Sequence, residues 1–256
     1  MPSVSNIAVG ALVAGAAASK ARHGMNESIA RLSTGNRSVY GGDAAGQSVA
    51  NTLEAKSKSW AVAARNAEDG ISAAQTAESA LLEVASLAQR LRELGIQADN
   101  AALLVDASDE AALNAEATAI GTAIDAIVQK TTFNGIQLLD TDDVTKAIGV
   151  TDDGGTLTLT FKEVNAATRT AAAGADGSAD TTLQEVAIAL GHVAAGIAAL
   201  KGRQAVAYSA SANLAAAAAR VEDTDFAKET ANLAKNSVLN QSAMAMVAQA
   251  NQAQSA

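Results

Sequence analysis

Cysteine is absent, proline occurs once, and the aromatic residues amount to one tryptophan, two tyrosines and three phenylalanines. Without cysteine the chain forms no disulfide and does no thiolate chemistry, though that absence is compatible with any compartment. With Pro2 as the only proline, no later residue has a fixed φ and a missing amide donor to interrupt a helix. Few aromatics means few of the side chains that suit a pleated sheet. Basic residues are outnumbered, 18 Lys and Arg against 27 Asp and Glu, for a net charge of −9. That sign repels phosphate backbones and excludes nucleic acid as a natural partner. Long apolar runs are also missing, with one imitation: residues 7–18 read IAVGALVAGAAA. The six residues before it carry no Lys or Arg side chain, and the apolar pattern continues in register to Leu32, so a cleaved signal peptide is not expected. The run is too short, and too soon interrupted by Lys20 and Arg22, to span a membrane.

Recognisable catalytic chemistry is absent too. No Ser/His/Asp set or glycine-rich phosphate loop occurs, and the carboxylates are spread along helix faces, so no acid/base pair stands out. His23 and His192 lie far apart without neighbouring ligand types, which argues against a metal site. The sequence therefore predicts no enzyme, no cofactor and no metal.

What the chain has in quantity is alanine, within a hydrophobic share of 49%. Alanine is the best helix former and buries area in small pieces. Apolar residues recur at spacings of three and four in long stretches. The first stripe is Val4, Ala8, Ala11, Gly15, Ala18, Arg22, Met25, Ile29 and Leu32. The second runs from Val49 and Leu53 through Trp60, Ala63, Ala67, Gly70, Ala74, Ala77, Leu81, Val84, Ala88 and Leu91 to Gly95 and Ala98. Trp60 is expected in the core. A third, shorter helix carries Leu113, Ala117, Ile120, Ile124 and Ile127. A fourth runs from Leu183, Val186, Leu190, Val193, Ile197 and Leu200 to Leu214, Ala218 and Val221. A weaker fifth stripe is Ala227, Ala231, Ala234, Val238, Ala245 and Ala248, flanked by Leu233, Met244 and Val247. A helix over residues 45–98 would be roughly 80 Å long and needs a partner along its length, for which the fourth helix is best suited.

The breaks order these helices. Gly41-Gly42 reads as a flexible joint. Residues 100–108 read as a turn, with Ser108 a cap and Asp109 and Glu110 suited to a first helical turn. Phe133-Asn134-Gly135-Ile136 reads as a turn into extended chain. TLTLTF at 156–161 alternates as a half-buried strand does, and Asp152-Asp153-Gly154-Gly155 suits a hairpin turn back to residues 147–150. Residues 171–182 are rich in Ala, Gly, Asp, Ser and Thr and read as a surface loop. The expected fold is mainly α: a long antiparallel helical bundle or coiled coil formed by both chain ends, with a small β-hairpin insertion.

Several segments resemble a known family. ARLSTGNR (30–37), DAAGQSVAN (43–51) and RNAEDGISAAQTAESAL (65–81) are similar to the N-terminal signature of bacterial flagellins. QRLRELGIQ (89–97) and TTFNGIQLLD (131–140) continue it in order. RVEDTDFA (220–227) and VAQANQ (247–252) resemble the C-terminal signature. Separate motifs in family order are a stronger signal than one short pattern. The resemblance implies a filament subunit of the bacterial flagellum, of a short form, since about forty residues separate Asp140 from Leu183 where longer relatives insert outer domains. It implies terminal helices, 1–40 with 225–256, lining the filament interior. A helical rod domain, 41–140 with 183–224, would carry the hairpin and surface loop at 141–182. The last helix is expected to be shorter than in relatives that continue past AQANQ with an apolar ending.

The resemblance also implies partners: the chain itself, as a helical homopolymer, then an export chaperone, cap and hook-associated proteins. It implies export by the flagellar type III apparatus to an extracellular filament, without a cleaved signal peptide. Candidate subunit contacts are Ala8, Ala11, Ala18, Arg31 and Leu32 near the start, and Arg90 and Leu94 in the second helix. Arg220, Asp225, Phe226, Leu233, Val238 and Met244 are the candidates toward the end. Host innate immune receptors bind the QRxREL face of some flagellins, and Arg90, Leu94 and Glu116 match it. The nearest alternative reading is a hook-filament junction protein, against which RNAEDGISAAQTAE and the short insertion argue; a secreted binding or effector protein is another.

Overall fold

The computed structural model describes residues 3–100, 107–164 and 172–255, and their side chains over 9–100, 107–164 and 172–252. The elements are α1 (Ser3–Thr34), α2 (Ala44–Ala98), α3 (Ala107–Lys130), β1 (Thr132–Phe133), β2 (Ile136–Gln137), β3 (Val144–Gly149), β4 (Thr156–Phe161), α4 (Ala175–Glu222) and α5 (Phe226–Ser255). They form two compact units, Met1–Ser57 with Ala212–Ala256, and Lys58–Ser211.

The central unit, Lys58–Ser211, is built on the 3-4 stripes of α2, α3 and α4. Ala63, Ala67, Ala74, Ala77, Leu81, Val84, Ala88 and Leu91 of α2 are all buried, as the spacing predicts. Leu113, Ala117, Ile120 and Ile124 of α3 and Val186, Val193 and Leu200 of α4 join the same core. Leu159, Phe161 and Val164 complete it from the extended segment. Glycine permits the closest helix approach: a Cβ on Gly95 of α2 would strike the backbone of Asp176 in α4. Glu68 accepts hydrogen bonds from Gln204 Nε2 at 2.8 Å and from the Tyr208 hydroxyl at 2.6 Å, tying α2 to α4 on the surface. α3 and α4 are long and apolar enough, by length and composition alone, to cross a membrane. Much of that hydropathy is alanine, and their largest apolar side chains mostly face this core.

Two hairpins pack here. Asn134 and Gly135 both take positive φ, 50° and 76°, the requirement of a tight two-residue turn, and pair Phe133 with Ile136. What the sequence read as a turn into extended chain is therefore a small hairpin of its own. β3 and β4 pair antiparallel from Val144↔Phe161 to Gly149↔Thr156. Strand β3 thus starts earlier than the expected 147–150.

Other expectations shift. α3 starts at Ala107, so Ser108 lies inside its first turn with Asp109 and Glu110, and the turn's residues 101–106 lie outside the described residues. The surface loop read at 171–182 is a correction: α4 begins at Ala175. Ala175, Ala179 and Thr182 are buried, so the stripe of α4 runs two turns upstream of Leu183. Small and polar composition disguised a helix whose buried positions are alanine and threonine. Trp60 is half-buried and not a core residue.

The terminal unit, Met1–Ser57 with Ala212–Ala256, is dominated by the pairing of α1 with α5. Here the predicted faces are rotated. On α1, Ala18 is buried and Ala11, Met25 and Leu32 half-buried, but Gly15, Arg22 and Ile29 are exposed; Ala14, Ala21 and Ser28 are buried in their place. On α5 the predicted stripe Ala227, Ala231, Ala234, Val238, Ala245 and Ala248 is exposed throughout. Glu229, Leu233, Asn236, Asn240, Ala243 and Val247 turn inward instead. Both observed faces keep the 3-4 period, and both mix small and polar residues with a few apolar ones. The side chains of Val4 and Ala8 lie outside the described residues.

Candidate assembly surfaces

The seam between α1 and α5 is narrow and polar in part. Ser28 donates to Glu229 Oε1 at 2.6 Å, and Arg31 Nη1 lies 3.5 Å from the same oxygen. Glu229 is 6% exposed and is the one charged residue among the described buried ones. The Ser28 hydroxyl, above all, holds its carboxyl below the ordinary glutamate value. Beside it Gly24 leaves a hole for Asn236: a Cβ there would come within 2.6 Å of Asn236 Nδ2. Arg22 reaches the Met244 sulfur at 3.4 Å.

Outside the seam the same helices present uncovered apolar side chains. Leu12 is 75% exposed, and Val9, Val13 and Ile29 accompany it on α1. Phe226, Val238, Leu239, Met244 and Met246 do so on α5, with Met246 63% exposed. An apolar groove of about 760 Å³ beside the seam, lined by Val13, Ala17, Leu239 and Met246, continues the pattern.

The joints before α2 and before α5 are bonded to each other. Asn36 and Asp223 form an antiparallel bridge, in which the Arg37 amide donates to the Glu222 carbonyl at 2.7 Å and the Thr224 amide to the Gly35 carbonyl at 2.8 Å. Arg37 Nε donates to the Val221 carbonyl at 3.1 Å, and its Nη2 meets Asp43 at 2.5 Å. Asp43 caps α2 by accepting from the Gly46 amide at 2.8 Å; that bond, then Arg37, lowers its pKa. Asp225 caps α5 by accepting from the Lys228 amide. The joint read at Gly41-Gly42 is thus a hydrogen-bonded corner. Gly35, Tyr40 and Gly41 take positive φ in it, and Tyr40 is 85% exposed.

On the central unit, Arg90 forks between Glu116 at 2.7 Å and Glu93 at 2.9 Å, all three exposed. Glu116 first, then Glu93, raises the Arg90 pKa. Arg92 pairs with Asp180 at 2.7 Å.

The candidate residues therefore divide. Phe226, Val238, Met244, Arg90, Glu116, Arg220 and Asp225 stand at the surface. Ala11, Arg31, Leu32 and Leu233 are half-buried at the edges of the α1/α5 seam. Ala18 and Leu94 are buried within their own units, at 2% and 0% exposure, so neither offers its side chain to an outside partner here. Ala8 lies outside the residues whose side chains are described. Ser28 and Glu229 were missed by sequence reasoning; the available signal was a second 3-4 row through Ala14, Ala18, Ala21, Met25 and Ser28.

Residues 6–143 match the model of the bacterial flagellin N-terminal helical region, and residues 177–256 that of the C-terminal helical region. The chain belongs to the bacterial flagellin family. Among its relatives, a flagellin of Halalkalibacterium halodurans is 36% identical over 243 residues, 88% of either chain. A flagellin of Bacillus subtilis is 33% identical over 270 residues, covering 88% of this chain and 89% of that one. A crystal structure of Bacillus cereus flagellin matches 59% of this chain and 88% of that one at 25% identity and a TM-score of 0.40, and the assignment rests on the sequence matches instead. As a flagellin, the chain is a structural subunit that polymerises into the extracellular flagellar filament and serves motility; it is not an enzyme.

Proposed function

We propose that the α1/α5 pair is the element through which subunits of this flagellin join, and that its uncovered apolar rows are closed by neighbouring copies. The observation that carries this reading is the contrast on α5. Its inward face includes the polar Glu229, Asn236 and Asn240, while Val238, Leu239, Met244 and Met246 face solvent. Exposed apolar rows of this kind mark interaction surfaces, and a contact that repeats head-to-tail without closing builds a helical polymer. In this reading residues 1–40 with 225–256 line the filament interior. Residues 41–140 with 183–224 make the outer helical rod, and 141–182 carry its hairpin and the first turns of α4.

The pair buries mostly alanine, which offers little area against the roughly 1–2 kcal/mol of backbone entropy lost per ordered residue. Residues 1–40 and 225–256 are therefore unfolded in the free subunit and helical in the filament. Amide exchange tests this: fast in both segments in the soluble chain and slow in sedimented filaments, with Val238→Glu and Met244→Glu lowering filament yield. Protected ends in a chain that never polymerises would defeat it. Unfolded ends suit export by the flagellar type III apparatus without a cleaved signal peptide, an export chaperone binding them on the way, and cap and hook-associated proteins receiving the subunit. Arg90 and Glu116 form an exposed face open to a host innate receptor, whereas Leu94 contributes through the core beneath it.

A further inference from the structure

We infer that Ser28 and Glu229, with Gly24 and Asn236, set the register of α1 against α5 and so select one alignment of two faces that alanine alone leaves ambiguous. Ala14, Ala18 and Ala21 of α1 and Ala243 of α5 are near-equivalent knobs. A slip of one heptad puts Ala18 in the place of Ala11 and Ala21 in the place of Ala14, so the alanines of that stretch oppose it little. It displaces the helices by about 10 Å, at 1.5 Å per residue. The polar groups do not survive such a slip. Ser28 is the single buried polar residue described in α1, and Glu229 is its hydrogen-bond partner. Moved one heptad, Glu229 would face Ala21, or run past the end of α1 at Thr34. Either way a buried carboxylate loses its donors on α1, Ser28 and Arg31, and Asn236 loses the hole at Gly24. A single buried polar group fixes helix register in this manner at some cost in stability.

This inference builds on the proposed assembly role of the pair, and sedimentation reads that role separately from register. The chain has no cysteine, so engineered pairs report alignment without background. A Cβ on Gly24 lies 3.1 Å from Asn236 Cγ, so Gly24→Cys with Asn236→Cys reports the observed register. Gly24→Cys with Ala243→Cys, and Ala17→Cys with Asn236→Cys, report slips of seven residues either way. Each pair is oxidised in sedimented filaments, and intrachain links are separated from interchain ones by gel mobility. On the unaltered seam the 24–236 link dominates. With Glu229→Leu the ratio of in-register to slipped links falls by ~10-fold or more, while Glu229→Gln, which still accepts from Ser28, keeps it within ~2-fold. Should Glu229→Leu not enter filaments, Ser28→Ala is read in its place and lowers the ratio ~3-fold. An unchanged ratio in the variant that does enter filaments overturns the inference, whereas a dominant 24–236 link on oxidising the soluble unsubstituted-seam chain, with no sedimentation under any polymerising condition, overturns the assembly reading alone.

Discussion

The two units use the same secondary structure and bury different things. The central unit closes over Leu81, Leu91, Ile124, Leu139, Leu159 and Phe161, none more than 1% exposed. The terminal unit buries Ala14, Ala18, Ala21, Ser28 and Glu229, and leaves its larger side chains uncovered. A leucine or phenylalanine removed from water contributes about 1.5–3 kcal/mol, and an alanine much less. The difference teaches that helix content is no guide to where stability resides. One unit is provided for by its own core, and the other has its apolar surface still to be covered.

Substitutions can break this comparison. Phe161→Ala should cost the soluble chain about 3–5 kcal/mol by urea denaturation, since the side chain is fully buried in the larger core. A loss below 1 kcal/mol would mean that core is not what holds the central unit. Gly95→Ala should cost about 1–3 kcal/mol, because the new methyl meets backbone at Asp176 and α2 and α4 must part. Gly135→Ala should cost about 1 kcal/mol through its φ of 76° in the β1–β2 turn. Ala18→Gly should change the unfolding free energy of the soluble chain in urea by less than about 0.5 kcal/mol while raising the concentration needed for filaments. An equal loss in both measurements would erase the proposed distinction between the units.

The smallest effect is a dependence on pH. Glu229 is held below its ordinary value of 4.5 when α1 and α5 are paired. Its contribution is then fully present above that value and is lost as pH falls through the depressed one. Filaments should sediment equally at pH 7 and pH 5.5, weaken below about pH 4.5, and do so less steeply with Glu229→Gln. A variant curve superimposed on the parent's would remove Glu229 from the account.

Most of the central unit was legible in sequence. Its stripes carry leucine, isoleucine and valine, whose spacing states the buried face without competition, as Leu81, Val84 and Leu91 show. Legibility faded where buried residues are small or polar. Residues 175–182 look like a loop because Ala175, Ala179 and Thr182 do not announce a core. On α5 the more apolar row was taken for the inside, but Glu229 and Asn236 face α1 while Val238 stays exposed. That error has the same physical origin as the proposed assembly surface. A sequence rule that sends apolar residues inward does not distinguish the inside of a subunit from the inside of a polymer.

The bridge between Asn36 and Asp223 has a practical corollary. Its ties run from the amides of Arg37 and Thr224 to the carbonyls of Glu222 and Gly35, so they do not depend on which side chains those positions carry. The corner should accept replacements readily and changes of spacing poorly. One residue added between Gly35 and Asp43, or removed between Glu222 and Phe226, puts donors out of phase with acceptors on the opposite strand. Peptide tags and foreign epitopes therefore belong in the Thr151–Gly155 hairpin loop, and the two corner segments should keep their native length.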